Sequence, residues 1–149
     1  MQLASGWDWH LLWTDVERIA LSYVITIPLG FEREKESHSA GIRTFPLVAM
    51  ASCAYVLIAQ SFGGSDPAAS SRVIQGLVAG IGFIGGGAIL KDGVTIHGTA
   101  TAASIWNVGA IGAAVGVGRF EIAVILAVLN IVTLHFLLPL KKRLSGTSE

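Results

Sequence analysis

The sequence predicts an all-α membrane protein, a polytopic bundle of about five transmembrane helices. Two observations point to this fold class. Of the 149 residues, 52% are hydrophobic and only 13% are charged, which is about half the charged fraction of ordinary soluble domains. Polar residues also divide the chain into five apolar stretches of about 18–20 residues, the length that a helix needs to cross ~30 Å of hydrocarbon.

Each apolar stretch is assigned to one span. The predicted spans are 13–31, 44–62, 73–90, 101–118 and 120–138. The first span is the least regular, because Glu17 and Arg18 lie inside its outer end, where a long basic side chain can reach the interface. Thr44 and Thr101 are typical N-cap residues, so we expect them to begin the second and fourth spans.

The two ends of the chain are predicted to lie outside the bundle. Residues 1–12 are expected to form an interfacial segment, because Trp7, Trp9 and the nearby Trp13 suit the headgroup region. Residues 13–140 form the transmembrane domain and residues 141–149 a short cytoplasmic tail. The N-terminus has no basic region before a short apolar core, so we expect no cleaved signal peptide.

The basic residues predict the orientation of the bundle. With five spans, three of the ten basic residues fall on one side, namely Arg18, Arg72 and Arg119. The other seven fall on the opposite side: Arg33, Lys35, Arg43, Lys91, Lys141, Lys142 and Arg143. The positive-inside rule places these seven in the cytoplasm, with the N-terminus out and the C-terminus in.

A glycine motif in the third span raises the possibility of a cofactor enzyme. Gly80, Gly82 and Gly85 match G-x-G-x-x-G, which marks a dinucleotide-binding turn when a strand precedes it and an acid follows about 20 residues later. Here the motif lies inside a continuous apolar span, and Asp92 comes only seven positions after Gly85. We therefore expect no bound cofactor and no enzymatic activity.

Helix packing is the better interpretation of these glycines. Gly76/Gly80 and Gly82/Gly86 are G-x-x-x-G pairs on two faces, which let helix backbones approach closely in lipid. The third span is therefore predicted to lie at the centre of the bundle, or of the bundle with a second protomer. A bulky stripe that includes Ile81 is expected to face lipid. The glycines assigned to packing are Gly76, Gly80, Gly82, Gly85, Gly86, Gly87, Gly109, Gly112 and Gly116. The alternative is a helix that unwinds at Gly85–Gly87 around an ion.

Three polar residues are expected at membrane depth: Gln75, Asn107 and Asn130. The two asparagines lie at nearly the same distance from the cytoplasmic ends of the fourth and fifth spans. A hydrogen bond between their amides would join the two helices. A solute pathway beside them is the other interpretation.

The loop between the first two spans carries charges of alternating sign. Three interpretations are open: a salt-bridged surface, a docking site for a partner, and a Mg²⁺ site. Glu32 and Glu36 share a helical face at i, i+4 and are weak candidate ligands for Mg²⁺. The four histidines show no metal-ligand spacing. A net charge of zero argues against a nucleic-acid partner.

Four motifs in order resemble the MgtC/SapB family of bacterial inner-membrane proteins. They are GFERE at 30–34, AGIRT at 40–44, Gln75 leading into GIGFIG at 80–85, and TAASIW at 101–106. The chain departs from the family pattern at Thr99, Ala100 and Gly86. The cytoplasmic signature residues that carry the resemblance are Glu32, Arg33, Glu34, Arg43 and Thr44.

The resemblance implies a role in magnesium homeostasis and, in pathogens, in virulence. It leaves open whether such a protein transports Mg²⁺ or regulates membrane partners such as ion-transporting ATPases. We expect a regulator that works through helix–helix contacts in the inner membrane, as a homo-oligomer (a dimer). The alternative is a small ion channel or transporter with a pathway near Asn107, Asn130 and Gly85.

Overall fold

The computed structural model describes residues 8–35, 41–62 and 67–137, which form five α-helices and one β-hairpin. The helices are α1 (Trp9–Glu34), α2 (Thr44–Phe62), α3 (Pro67–Gly87), α4 (Thr99–Gly116) and α5 (Phe120–Val132), and α5 continues as a π-helical turn over Thr133–Leu137. The hairpin pairs β1 (Leu90–Asp92) with β2 (Thr95–His97). The helical fold class is confirmed, although α1 already begins within the segment assigned to the interface.

Two helical segments in the described residues are long and apolar enough to cross a membrane, Thr44–Phe62 and Phe120–Leu137. α2 has the predicted bounds. α4 is rich in Gly, Ala, Ser and Thr, so small residues replace the Leu and Ile that raise hydropathy. α1 carries several charged residues near its ends.

α4 lies at the centre of the bundle, where it contacts each of the other four helices. The prediction that the third span is central is therefore wrong for the single chain. Glycines in α4 make the close contacts: a Cβ on Gly112 would lie 2.8 Å from the carbonyl carbon of Ala49, and one on Gly116 would lie 3.0 Å from the Cys53 oxygen. Because these positions have no side chain, α2 lies directly on the backbone of α4.

α3 packs through a different set of residues from the one predicted. Ile81, expected to face lipid, is 6% exposed and lies against Gly109, where a Cβ would overlap it. Gly85 also packs, since a Cβ there would lie 3.2 Å from the Ala102 oxygen. At the other α3 glycines, a Cβ would have no atom of the described residues within 4 Å: Gly76, Gly80, Gly82, Gly86 and Gly87. Their contact with a second protomer stays a prediction.

The connection between α3 and α4 is a hairpin that the predicted all-helical fold lacks. The third span was expected to reach residue 90, but α3 ends at Gly87. In the turn, Gly93 has φ of +59° and Val94 has no positive φ, which fits the type II′ turn that matches strand twist. All six strand residues are exposed.

At one end of the bundle, three helices meet at the carbonyl of Gly116, near the C-terminus of α4. Arg18 of α1 donates a hydrogen bond to it through Nη1 at 3.0 Å, and Gln60 of α2 donates through Nε2 at 3.3 Å. These bonds satisfy a carbonyl that the end of a helix leaves without a partner, and a cation is favoured there by the helix dipole. The start of α1 and the ends of α2 and α4 therefore lie together, so α1 runs antiparallel to α2 and to α4.

Candidate functional site: the motif junction

The four motifs that carry the family resemblance converge at the other end of the bundle. We call this region the motif junction. It comprises the end of α1, the turn before α2, the end of α3 and the start of α4. Its members are Gly30, Arg33, Glu34, Gly41, Ile42, Gly85, Gly98 and Thr101.

A buried hydrogen bond between α1 and α4 lies at the centre of the junction. Arg33 Nε donates to Thr101 Oγ1 at 2.8 Å; Arg33 is 6% exposed and Thr101 is fully buried. The prediction that Thr101 is an N-cap is wrong, because α4 begins two residues earlier with Gly98 as its N-cap. The hydroxyl is thus available to Arg33, a side chain that is always charged and needs acceptors when buried.

The first two motifs fit together around the turn that precedes α2. Glu34 Oε2 accepts a hydrogen bond from the Ile42 backbone N–H at 3.2 Å. A Cβ on Gly30 would lie 2.8 Å from Ile42 Cα and 3.0 Å from the Gly41 oxygen, and one on Gly41 would overlap the Glu34 carboxylate. Glycine at position 30 lets the two backbones touch, and glycine at position 41 leaves room for the Glu34 carboxylate, which holds the turn through the Ile42 N–H. Thr44, half-buried, is the first residue of α2.

The third and fourth motifs meet where α3 ends and α4 begins. Gly98 has φ of +85°, a conformation that favours glycine, and a Cβ there would overlap the Ala88 carbonyl. The Gly98 oxygen accepts the Ala102 N–H at 2.8 Å and so begins the hydrogen bonding of α4. With Gly85 against Ala102, this packing holds the N-terminus of α4 in place for the Arg33 contact.

Charged side chains form a rim outside the buried bond. Glu32 accepts hydrogen bonds from Lys35 Nζ at 3.2 Å and pairs with His135 Nδ1 at 2.9 Å. These partners, His135 first, hold the pKa of Glu32 below its ordinary value. Arg43 is exposed. His135 comes from the π-helical turn after α5, and no sequence motif pointed to its pairing with α1.

The predicted Mg²⁺ site at the rim has little support. Glu36 lies outside the described residues, and Glu32 is already engaged by two nitrogen donors. In the described ranges, no group of three or more His, Cys, Asp and Glu side chains is arranged to hold a metal ion.

The two deep asparagines both join α4 to α5, but not through each other. Asn107 Nδ2 donates to the Leu126 oxygen at 3.2 Å, and Ser104 Oγ donates to Asn130 Oδ1 at 3.1 Å. The predicted amide–amide bond is therefore replaced by two separate bonds. Asn107 and Asn130 line a common cavity of about 260 Å³. Gly85 does not line that cavity, and Gln75 is exposed on α3.

Comparison with known proteins identifies the family. The sequence profile described as "MgtC family" matches residues 19–143. Uncharacterized protein slr0014 of Synechocystis is 36% identical over 123 residues, covering 83% of this chain and 52% of that protein. Protein MgtC of Brucella abortus is 36% identical over 112 residues, covering 75% of this chain and 46% of that protein.

A relative from Escherichia coli K12, named "Putative magnesium transporter YhiD", is 33% identical over 137 residues, covering 85% of this chain and 62% of that protein. The chain thus spans about half the length of the first relatives it matches. No solved structure matches it at a comparable level of significance. The profile match covers most of the chain and includes all four motifs of the junction, and the chain therefore belongs to the MgtC family.

Proposed function

We propose that this chain is a multi-pass protein of the bacterial inner membrane that acts in magnesium homeostasis by contacting other membrane proteins, without enzymatic catalysis. The observation that carries the proposal is the motif junction, where a buried Arg33–Thr101 bond fixes the helix ends beneath a charged, exposed rim. The magnesium role is supported by the family and by the name of the Escherichia coli relative.

The proposal includes five spans, with the N-terminus out and the C-terminus in. Large exposed apolar side chains occur on all five helices, for example Val24, Tyr55, Phe83, Trp106 and Val128. A water-soluble bundle of this size would expose no such continuous apolar surface, whereas lipid covers it favourably. The bonds at the two ends of the bundle support alternating helix directions.

The chemistry of the interior supports a protein that contacts partners better than it supports a protein that conducts ions. In the described residues, the buried charged side chain is Arg33, at the end of α1, and the deep amides Asn107 and Asn130 already hold α4 against α5. The rim, in contrast, exposes Lys35 and Arg43 to an approaching protein. We expect the partner to be an integral membrane protein, such as an ion-transporting ATPase.

Growth in low-magnesium medium tests this role in a strain whose own copy of the gene is deleted. Arg43→Glu reverses the charge of an exposed rim residue that the buried bonds of the junction do not use, so it should abolish growth support while expression and membrane insertion stay normal. Arg119→Glu makes the same change at the other end of the bundle, where Arg119 is also exposed, and should support growth. Normal growth with Arg43→Glu would overturn the proposal that the rim carries the function.

Glu32→Arg probes the same rim through its described partners. Because Glu32 pairs with Lys35 and His135, reversing its charge should also reduce growth support, and adding Arg43→Glu should not restore it. Restoration by the double exchange would show that Glu32 and Arg43 act as a pair and would contradict partner docking by Arg43.

A small ion channel or transporter is the second candidate function. The cavity shared by Asn107 and Asn130 favours it, because Ser104 and Thr133 also line that space and supply hydroxyl oxygens. An ion pathway along α4 and α5 would require this cavity to open at both ends. Gly85 would not line that pathway, because it does not line the cavity. Ion flux through the purified protein separates the two candidates.

A further inference from the structure

One side of the central helix has no neighbour in the bundle. α1, α2, α3 and α5 cover α4, but one stripe of its surface remains exposed or half-buried. We call this stripe the α4 seam; it consists of Ala100, Ala103, Trp106, Asn107, Ala110 and Ala113. A cavity of about 260 Å³ flanks it on the α5 side, and one of about 180 Å³ flanks it on the α3 side. The side chains of the seam are small apart from Trp106 and Asn107, which leaves room for another helix to approach closely.

A buried polar group without a partner borders the seam. Asn130 is 7% exposed and lines the cavity on the α5 side, and its Nδ2 makes no hydrogen bond within the described part of the chain. Such a donor is costly in hydrocarbon, where no water can satisfy it. The terminal torsion of asparagine is soft, so a rotation of the Asn130 amide, which would lengthen its hydrogen bond with Ser104, presents the N–H to the cavity.

The seam offers an acceptor at the same depth. Asn107 lines the same cavity and uses its Nδ2 for the Leu126 oxygen, so its Oδ1 is the atom that can accept. A two-fold axis along the membrane normal brings equal depths of two copies together and pairs each group with its counterpart. The donor of Asn130 in one copy then faces the acceptor of Asn107 in the other, twice. Because the surface along the α4 seam carries a donor and an acceptor at the same depth, it is complementary to the same surface on a second copy.

We infer that two copies of this chain associate through the α4 seam, with Asn130 and Asn107 forming reciprocal hydrogen bonds across the interface. The small side chains of Ala103 and Ala110 allow close approach of the two α4 helices, and the exposed Trp106 supplies apolar contact area. The dimer does not depend on the proposed magnesium function. The open glycine faces of α3 present no unpartnered buried polar group in the described residues, and they provide the competing interface.

Energy transfer between donor-labelled and acceptor-labelled copies of the full chain in liposomes, measured over a dilution series, gives the dimer dissociation constant. Asn130→Leu keeps the size of the side chain and removes the donor, and with it the acceptor of the Ser104 hydroxyl within one copy. It should weaken dimerisation by about tenfold to a hundredfold, the effect of losing two interhelical bonds in lipid. Gly82→Leu, on the open face of α3, is the matched control and should leave the constant unchanged. Circular dichroism and thermal unfolding establish that each variant keeps its helices.

Disulfide formation locates the interface independently of stability. Ala103→Cys, in a protein with Cys53 replaced by serine, should form an intermolecular disulfide on mild oxidation, whereas Ala79→Cys on exposed α3 should not. A chain that stays monomeric in liposomes would overturn the inference. So would a dimer that Asn130→Leu leaves intact, or one that Gly82→Leu disrupts and Ala79→Cys crosslinks.

Discussion

Removing the Thr101 hydroxyl tests whether the motif junction holds the bundle together. Thr101→Val keeps the shape of a fully buried side chain but deletes the acceptor of Arg33 Nε. A hydrogen bond to a charged group contributes about 1.5–3 kcal/mol, and Arg33 Nε loses the buried acceptor that Thr101 provides. We expect a loss of about 2 kcal/mol, or a fall in Tm of about 4–8 °C for a chain of this length.

The assay is thermal unfolding in detergent micelles, followed by tryptophan fluorescence. Thr14→Val is the matched control: the Thr14 hydroxyl bonds only to the His10 oxygen of its own helix among the described contacts, so the change should cost under about 0.5 kcal/mol. In a double-mutant cycle, Arg33→Met and Thr101→Val should show a coupling of about 1.5–3 kcal/mol. A Tm within about 1 °C of the unmodified protein, or a coupling near zero, would refute the role given to this bond.

Gly112→Ala should destabilise the protein by about 1–3 kcal/mol, because its Cβ would meet the Ala49 backbone. Gly80→Ala, with open space around it, should be neutral or stabilise the protein by up to about 1 kcal/mol. Equal unfolding temperatures for the two variants would show that α2 and α4 do not pack tightly. Since Glu32 has a lowered pKa in the folded state, its carboxylate stabilises the fold above the ordinary value of 4.5, and the contribution is lost as pH falls through the lower folded-state pKa. Glu32→Gln should therefore unfold at a lower temperature than the unmodified protein at pH 7, and the gap should close below pH 4.5; a constant gap would contradict this assignment. Single cysteines at Ser5 and Ser145, in a cysteine-free background, should react with an impermeant reagent in intact cells only at position 5; labelling at 145 would contradict the proposed orientation.

The helical elements were predictable where composition alone decides them. The second span was predicted with its observed bounds, because Arg43 precedes the apolar run and Gly63 and Gly64 follow it. The hairpin was missed, although Asp92-Gly93 between β-branched and apolar residues is a recognised hairpin signal. Residues 88–90 are apolar, so hydropathy predicts that the helix continues through them.

The packing of α3 shows what periodicity cannot decide. Both a glycine stripe and a bulky stripe can face a neighbouring helix, and the shape of that neighbour selects between them. Gly109 in α4 leaves a hollow that Ile81 fills, so Ile81 turns inward, whereas Ile84 of the same stripe stays exposed. A helical-wheel projection of α3 alone cannot show this hollow, because the hollow belongs to α4.

The junction was predictable as a set of motifs but not as a structure. Glu34, Arg33 and Thr101 stood in the motifs that carry the family resemblance, yet the bond between Arg33 and Thr101 joins residues 68 positions apart. His135 belongs to no motif; it lies in the π-helical turn after α5 and pairs with Glu32 at the end of α1. Long-range geometry of this kind follows from the packing of α1, α4 and α5 as a whole.

We propose that this protein acts by contact with its partners and does not conduct Mg²⁺. Purified protein in liposomes loaded with a fluorescent Mg²⁺ indicator tests this most directly, with empty liposomes and an Asn130→Leu variant alongside. We expect Mg²⁺ entry equal to that of empty liposomes, with or without a membrane potential. Saturable Mg²⁺ uptake that depends on the protein would contradict this, and a fall of that uptake with Asn130→Leu would show that Asn130 contributes to it through the α4–α5 cavity or through the dimer.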